Sequence, residues 1–484
     1  MRADEVARCL AETLSPDAVA RAEAQRAIER MGGEPGFAET LASIALRGVE
    51  GAVVDISTRQ LSAVLLKKHV REHWNALDER FVAPELTEAE KQGLKTVLPK
   101  GLADESSKMR TAFAAGIAQA AASDGAIWDE LTTTLVEGIR AKRSRSEVLG
   151  CLKCYEIIAG EIDAKDVATV GPTLFPELLT LARHGEDGAL RRRAETAFSS
   201  TVSALTTLTG TEQKEMRDML LPYLPTWLET VAIALEGMPN PNNFDALAST
   251  MAALTSLALA VQYFTKPAGE ALMPALSRGA IMFHTIAPVW AKYSEETDHL
   301  DPGMDSDGDT VSFEAVVTEL LELVINIAEQ PKLNKLLEPN LADTLYVTMG
   351  YMTMSSSQEE MWMDDPNQFV ADEDDDFGNV RAACGLMLDS LGERFGVKAV
   401  AALWNASNRR LAESISAQQT GDSMWWRPRE AALLAVGTMN EVVLSSLERA
   451  QEKGKPAPFD IAAFMKTVIE NDLHESTAAS APSA

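Results

Sequence analysis

Carboxylates are the most abundant charged groups in this chain, and one stretch concentrates them. Asp372, Glu373, Asp374, Asp375 and Asp376 stand in a row, with Asp364 and Asp365 just upstream across a Pro366-Asn367 turn signal. Adjacent carboxylates repel one another, so the block reads as a solvated segment rather than a helix. Its natural ligand is a dense positive surface. An exposed carboxylate meeting a lysine or arginine contributes about 0.2–1 kcal/mol. The whole set could therefore supply a few kcal/mol, with strong salt dependence. A solubilising role with no partner is the plainer alternative.

Other spacings that could do chemistry are weaker. Gly303 to Glu314 nearly fits a calcium loop, with Asp305 third, Asp307 fifth, Gly308 sixth and Glu314 twelfth. The first position must supply an oxygen, and Gly303 has none to give. A plain connection between helices is the favoured reading. Cys151-Leu152-Lys153-Cys154 has the spacing of a zinc half-site, but no second such pair accompanies it, and the pattern around it is helical. Core cysteines are expected, and no metal or cofactor. His69 and His73 lie one turn apart without a third ligand. The chain has no phosphate loop and no nucleophile elbow, so no enzymatic activity is expected. Arg140 to Arg145 and Arg191-Arg192-Arg193 are basic clusters. The first reads as a solvated turn at a helix C-terminus, with a nuclear localisation signal as the alternative.

The elements that position these residues read as helices throughout. Phe313, Val316, Val317, Leu320, Val324 and Ile327 step by three and four, opposite Glu314, Glu319, Glu322 and Asn326. Ile56, Leu61, Val64 and Leu65 are assigned to one apolar face, with Arg59, Lys67 and Arg71 elsewhere. Alternation of period two and hairpin turn signals are not evident. The uncharged span 246–264 is rich in Ala, Ser and Thr, and a buried helix explains it better than a membrane span. With 46% hydrophobic but only 6% aromatic residues, the composition favours closely packed helices over sheets. A net charge of −28 repels nucleic acid and anionic membrane, and attracts basic proteins. Four cysteines in 484 residues suggest a reducing compartment. Proline and glycine breaks recur at short intervals. An all-α solenoid of HEAT-type helical hairpins is therefore expected, with a repeat of roughly 40–47 residues.

Several stretches resemble the importin-β (karyopherin) superfamily of nuclear transport receptors. Arg21 to Ile28 is similar to the first helical pair of that family's N-terminal domain, and Arg59 to Val70, ending at Trp74, to the second. Leu98 to Leu102, Ser106 to Arg110, the acidic stretch from Asp365, and Trp425 to Ala431 continue the resemblance. Family members carry a similar Asp-Ser-Asp-Gly connection, and continue with repeats beyond this length.

The resemblance implies the rest. Residues 1–80 are expected to be Ran-binding repeats, 81–360 HEAT-like repeats, 361–379 the acidic loop, 380–471 further repeats and 472–484 a disordered tail, the chain being the N-terminal part of a receptor or a naturally short form. The GTP form of Ran is expected near Lys67, Lys68, Arg71 and Arg110. The acidic loop is expected to bind basic cargo such as core histones and ribosomal proteins, and FG-repeat nucleoporins the outer helices. The receptor is expected to be a monomer shuttling between cytoplasm and nucleus, and present at the nuclear envelope. A HEAT scaffold outside transport, an acidic histone chaperone and a calcium-responsive adaptor are the alternatives.

Overall fold

The structure, a computed structural model, describes residues 2–47, 54–296, 302–365, 367–368, 370 and 379–472. Two compact units make it up: residues 1–230 with 305–309, and residues 231–304 with 310–484.

The first unit is a stack of antiparallel helical pairs: α1 (Ala3–Thr13) with α2 (Ala18–Met31), then α3 (Phe37–Arg47) with α4 (Ile56–His73). Next, α5 (Glu88–Val97) runs into a 3-10 turn (Leu98–Ala103) against α6 (Ser107–Asp124). They are followed by α7 (Asp129–Ala141) with α8 (Arg145–Glu161) and α9 (Ala164–His184) with α10 (Gly188–Thr206), then α11 (Gly210–Leu220) and the start of α12 (Leu224–Ala234). The second helices form a continuous row, α4 on α6, α6 on α8 and α8 on α10. Starts are set by side-chain caps: Asp55 accepts from the Ser57 and Thr58 amides, and Thr87 with Glu90 closes a capping box. The row is close-packed. A Cβ added at Gly150 of α8 would lie 1.9 Å from the Leu102 carbonyl oxygen, so glycine lets α8 touch the 3-10 turn.

The second unit repeats the scheme with α13 (Phe244–Ala268), α14 (Met273–Thr285), α15 (Ala287–Glu295), α16 (Phe313–Glu329), α17 (Asn334–Leu337), α18 (Leu341–Tyr351) and α19 (Ser356–Asp364). It continues with α20 (Val380–Phe395), α21 (Val397–Gln419), α22 (Arg427–Thr438), α23 (Asn440–Glu452) and α24 (Ile461–Asp472). Here α13, α16 and α20 form one row, while α18 packs on α21. The uncharged span lies in α13. The stretch 244–295 is long and apolar enough to cross a bilayer, but Leu247, Leu254, Leu257, Val261 and Phe264 form a buried face of a helix that packs on α16. All six apolar residues read as the inner stripe of α16 are buried.

Two expectations change. A two-residue strand pair does occur, β1 (Gly303–Met304) antiparallel to β2 (Thr310–Val311). The apolar face assigned to α4 is also rotated. Val64 is 59% exposed, and the buried stripe is Thr58, Ser62, Ala63, Leu66, His69, Val70 and His73. Small and polar residues line it because α4 lies against both α3 and α6, and Ser62 Oγ donates to the Leu41 carbonyl at 2.9 Å.

Replacing Gly150 by alanine should destabilise the chain by about 1–3 kcal/mol through overpacking. Gly160→Ala, in the same helix with no atom within 4 Å of the new Cβ, should be neutral or mildly stabilising. Urea melts of both variants check this, and equal losses would refute the close-contact account.

Candidate functional site

The described residues that flank the acidic stretch belong to two helices of the second unit. Helix α19 opens with a capping box in which Ser355 Oγ accepts from the Gln358 amide at 3.1 Å. It ends at Asp364, so this residue is helical rather than part of a solvated loop. Asp365 follows as the cap and accepts from the Asn367 amide at 3.0 Å, and residues 367, 368 and 370 are helical where a solvated loop was expected. Asp372, Glu373, Asp374, Asp375 and Asp376 lie outside the described residues. On the far side Asn379 caps α20, accepting from the Ala382 amide at 2.9 Å.

Buried guanidiniums fix α19 in place. Arg427 donates to Glu359 at 2.7 Å and to Ser356 at 3.1 Å. Arg381 holds Glu430 through both its Nη atoms at 3.0 and 2.7 Å, donates to the Met352 carbonyl at 2.6 Å, and lies 5.8 Å from the Trp362 ring centre. Sequence reading noticed Arg427 and Glu430 within a tryptophan-rich motif but missed this role. The partners are 49 to 71 residues away, which no local spacing reveals. Other carboxylates of this unit are held above the usual range. Burial does this for Glu314 and Glu319, and burial followed by Glu393 and Glu441 does it for Asp389. Lysine or arginine brought near them would relieve that cost.

The four cations singled out for Ran divide into two kinds. On α4, Lys67 reaches Glu161 at 3.6 Å, while Lys68 and Arg71 reach Glu72 at 3.8 and 3.9 Å. These long, partly exposed pairs leave the cations open to a stronger partner. Arg110 on α6 is only 5% exposed. It donates to the Asp104 and Glu105 carbonyls at 3.0 and 2.9 Å and to Asp307 at 3.1 Å.

Asp307 belongs to the near-calcium loop, whose carboxylates are taken by protein cations instead. Arg193 donates to Asp307 at 2.9 and 2.5 Å, to Glu156 at 2.8 Å, and to Asp309. Arg192 faces Asp305 at 2.8 Å, a charge contact without hydrogen-bond alignment, and Lys153 lies 3.7 Å from Asp309. Burial opposes the charge on Asp309, but Arg193, Lys153 and Arg192 outweigh it and hold its carboxyl below the usual range. Burial likewise opposes the charge of Arg193, and Glu156, Asp307 and Asp309 more than offset it.

The remaining motifs are structural. Cys151 and Cys154 are buried, and burial pushes the Cys151 thiol up to about 12. The basic turn is paired, with Arg140 on Glu177, Arg143 on Glu147 and Arg145 on Asp187. His69 is buried, its ring stacked 4.1 Å from His73 and edge-on to Phe37 at 5.4 Å. His73 in turn donates from Nδ1 to the Pro84 carbonyl at 2.8 Å.

Helices α3 to α5 are tied together by Arg59 of α4. It donates to the Ala45 carbonyl at 2.9 Å at the end of α3, and pairs with Asp104 beyond the 3-10 turn. This assembly coincides with residues 24–104, which match the family model of the importin-beta N-terminal domain. The chain is similar to importin-β superfamily proteins beyond this segment as well. It is 23% identical to Importin-9 of Drosophila melanogaster over 481 residues, which are 96% of this chain and 45% of that protein. Its fold is shared with the exportin Cse1 in its cargo-free, cytoplasmic state, at a TM-score of 0.66 and 14% identity over 90% of this chain and 46% of Cse1. It is also shared with Kap121p bound to RanGTP, at 0.56 and 19% identity over 97% of this chain and 39% of Kap121p. The chain thus spans under half the length of each. The fold is the all-α, HEAT-type solenoid of the karyopherins.

Within the importin-β N-terminal domain, His69 carries a pH dependence. Burial, then His73, holds its pKa down to about 4 from 6.5, against the pull of Glu90. The unfolded chain binds this proton near 6.5, so stability is lost as pH falls from about 6.5 to about 4, by at most roughly 3 kcal/mol. His69→Phe should lose less over that window in urea melts. Parallel curves for the two proteins would rule out this imidazole as the cause.

Proposed function

We propose that this chain acts as a nuclear transport receptor of the importin-β type, carrying basic proteins from cytoplasm to nucleus under control of Ran in its GTP form. The observation that carries the reading is the match of residues 24–104 to the importin-beta N-terminal domain, continued by stacked helical hairpins in a chain with an acidic run. Kap121p, which shares the fold, is known bound to RanGTP. The loosely paired cations Lys67, Lys68 and Arg71 are the proposed Ran contacts. Arg110 is the exception among the four, because its guanidinium is taken by Asp307 and two carbonyls.

Cargo recognition rests on charge. Asp364, Asp365 and the run Asp372 to Asp376, in a chain of net charge −28, suit lysine- and arginine-rich proteins such as core histones and ribosomal proteins. The described residues on either side of the run, Asp365 and Asn379, each accept a hydrogen bond from a nearby amide. Direction comes from the difference in affinity between the two nucleotide states of Ran, with no hydrolysis by this chain. FG-repeat nucleoporins are the third partner class in this reading.

Binding of a labelled core histone dimer, at low and high salt and with RanGTP or RanGDP, tests the proposal. Neutralising Asp364, Asp365 and Asp372 to Asp376 should weaken histone binding and flatten its salt dependence. Lys67→Glu with Lys68→Glu and Arg71→Glu should weaken RanGTP binding about tenfold or more, with stability changed by less than about 0.5 kcal/mol. Histone binding that ignores both nucleotide states of Ran would reduce the chain to an acidic scaffold or chaperone.

A further inference from the structure

The segment 305–309 behaves as a ligand bound within the first unit. Its acidic side chains occur at every second residue, and each reaches cations on the second-helix row. Asp307 meets Arg110 of α6 and Arg193 of α10, Asp309 meets Lys153 of α8 and both arginines of α10, and Asp305 meets Arg192 of α10. Three successive helices of that row, α6, α8 and α10, thus present a cationic stripe to one short acidic stretch. The segment is shaped for this by its own backbone. Asp305 Oδ1 accepts from the Asp307 and Asp309 amides at 2.9 and 3.0 Å, and Gly308 takes a φ of +87° that favours glycine.

We propose that this stripe is a receptor site for an acidic turn, kept filled in cis by residues 305–309 and open to an acidic turn-forming segment in trans when that strap lifts. The guanidiniums and the Lys153 ammonium are placed to take the three carboxylates that the turn presents together. The strap is also able to leave. Ser306 and Gly308 face solvent and the Asp309 side chain is 41% exposed, so lifting starts from an open edge. Lifting returns carboxylates and guanidiniums to water together, and recovered hydration offsets most of the lost attraction. The contacts are therefore many, but the net hold is small. The inference does not depend on the transport reading.

The test uses the full chain and a fluorescein-labelled peptide with the sequence of residues 303–311, read by anisotropy. The variant Asp305→Asn, Asp307→Asn, Asp309→Asn empties the stripe. It should bind the peptide at least tenfold more tightly than the unaltered chain, weaken as salt rises, and melt at a higher temperature with peptide present. The same peptide with its three aspartates changed to asparagine should not bind. A folded variant that ignores the acidic peptide, or one that binds it no better than the unaltered chain, overturns the proposal. If the triple variant does not fold, Asp309→Asn alone decides, since it loses only the most exposed carboxylate of the strap. A measurable gain in peptide affinity supports the site, and no gain refutes it.

Discussion

No helical pair in this protein can cover its own apolar surface, and that dependence on the neighbouring pair governs the rest. Within the row a second helix lies between two others, as α6 does between α4 and α8. Such a helix needs apolar residues over most of its girth and small residues where backbones meet. That explains the abundance of alanine along α6, where Ala114, Ala118, Ala120 and Ala121 are buried, and the glycine in α8 against the Leu102 carbonyl. Stability is correspondingly local. It is a sum of contacts between neighbours rather than the property of one central core.

Close stacking leaves helix ends and connections with polar groups to satisfy, and arginine does much of this work. Arg59 closes the end of α3, Arg381 and Arg427 seat α19, and Arg192 with Arg193 receives the strap. The planar guanidinium suits these places because one group serves two or three acceptors at once. In a chain with 44 basic against 72 acidic residues, such internal use of arginine leaves a surface more acidic than basic. Buried among the helices, these guanidiniums are paired, which offsets the cost of taking their charge out of water.

The sequence made some of this legible. The stripe of α16 could be read because its apolar residues are large and its polar face is acidic. The stripe of α4 could not, because a helix held on two sides buries Thr58, Ser62 and His69 and leaves Val64 in water. The end of α19 before Asp365 was readable as a local pattern. Arg381 with Glu430, and Arg193 with Asp307, were not, since those partners lie 49 and 114 residues apart. The Asp-Ser-Asp-Gly-Asp stretch looked like a failed calcium loop. Its carboxylates do serve cations, but cations that the chain itself supplies from α6, α8 and α10.

That supply fixes the length of the connection as firmly as its composition. Residues 305–309 form the turn between β1 and β2, closed by the Asp305 amide on the Asp309 carbonyl at 3.0 Å and the Gly308 amide on the Asp305 carbonyl at 3.1 Å. One residue added or lost between Asp305 and Asp309 would turn carboxylates away from several guanidiniums together. Insertions tolerated in other loops of a solenoid should be excluded here. A change at Arg110, Arg192 or Arg193 would in turn have to be answered by a change in the strap. Four helix-borne cations and five loop residues far apart in the chain are therefore bound to vary as one unit.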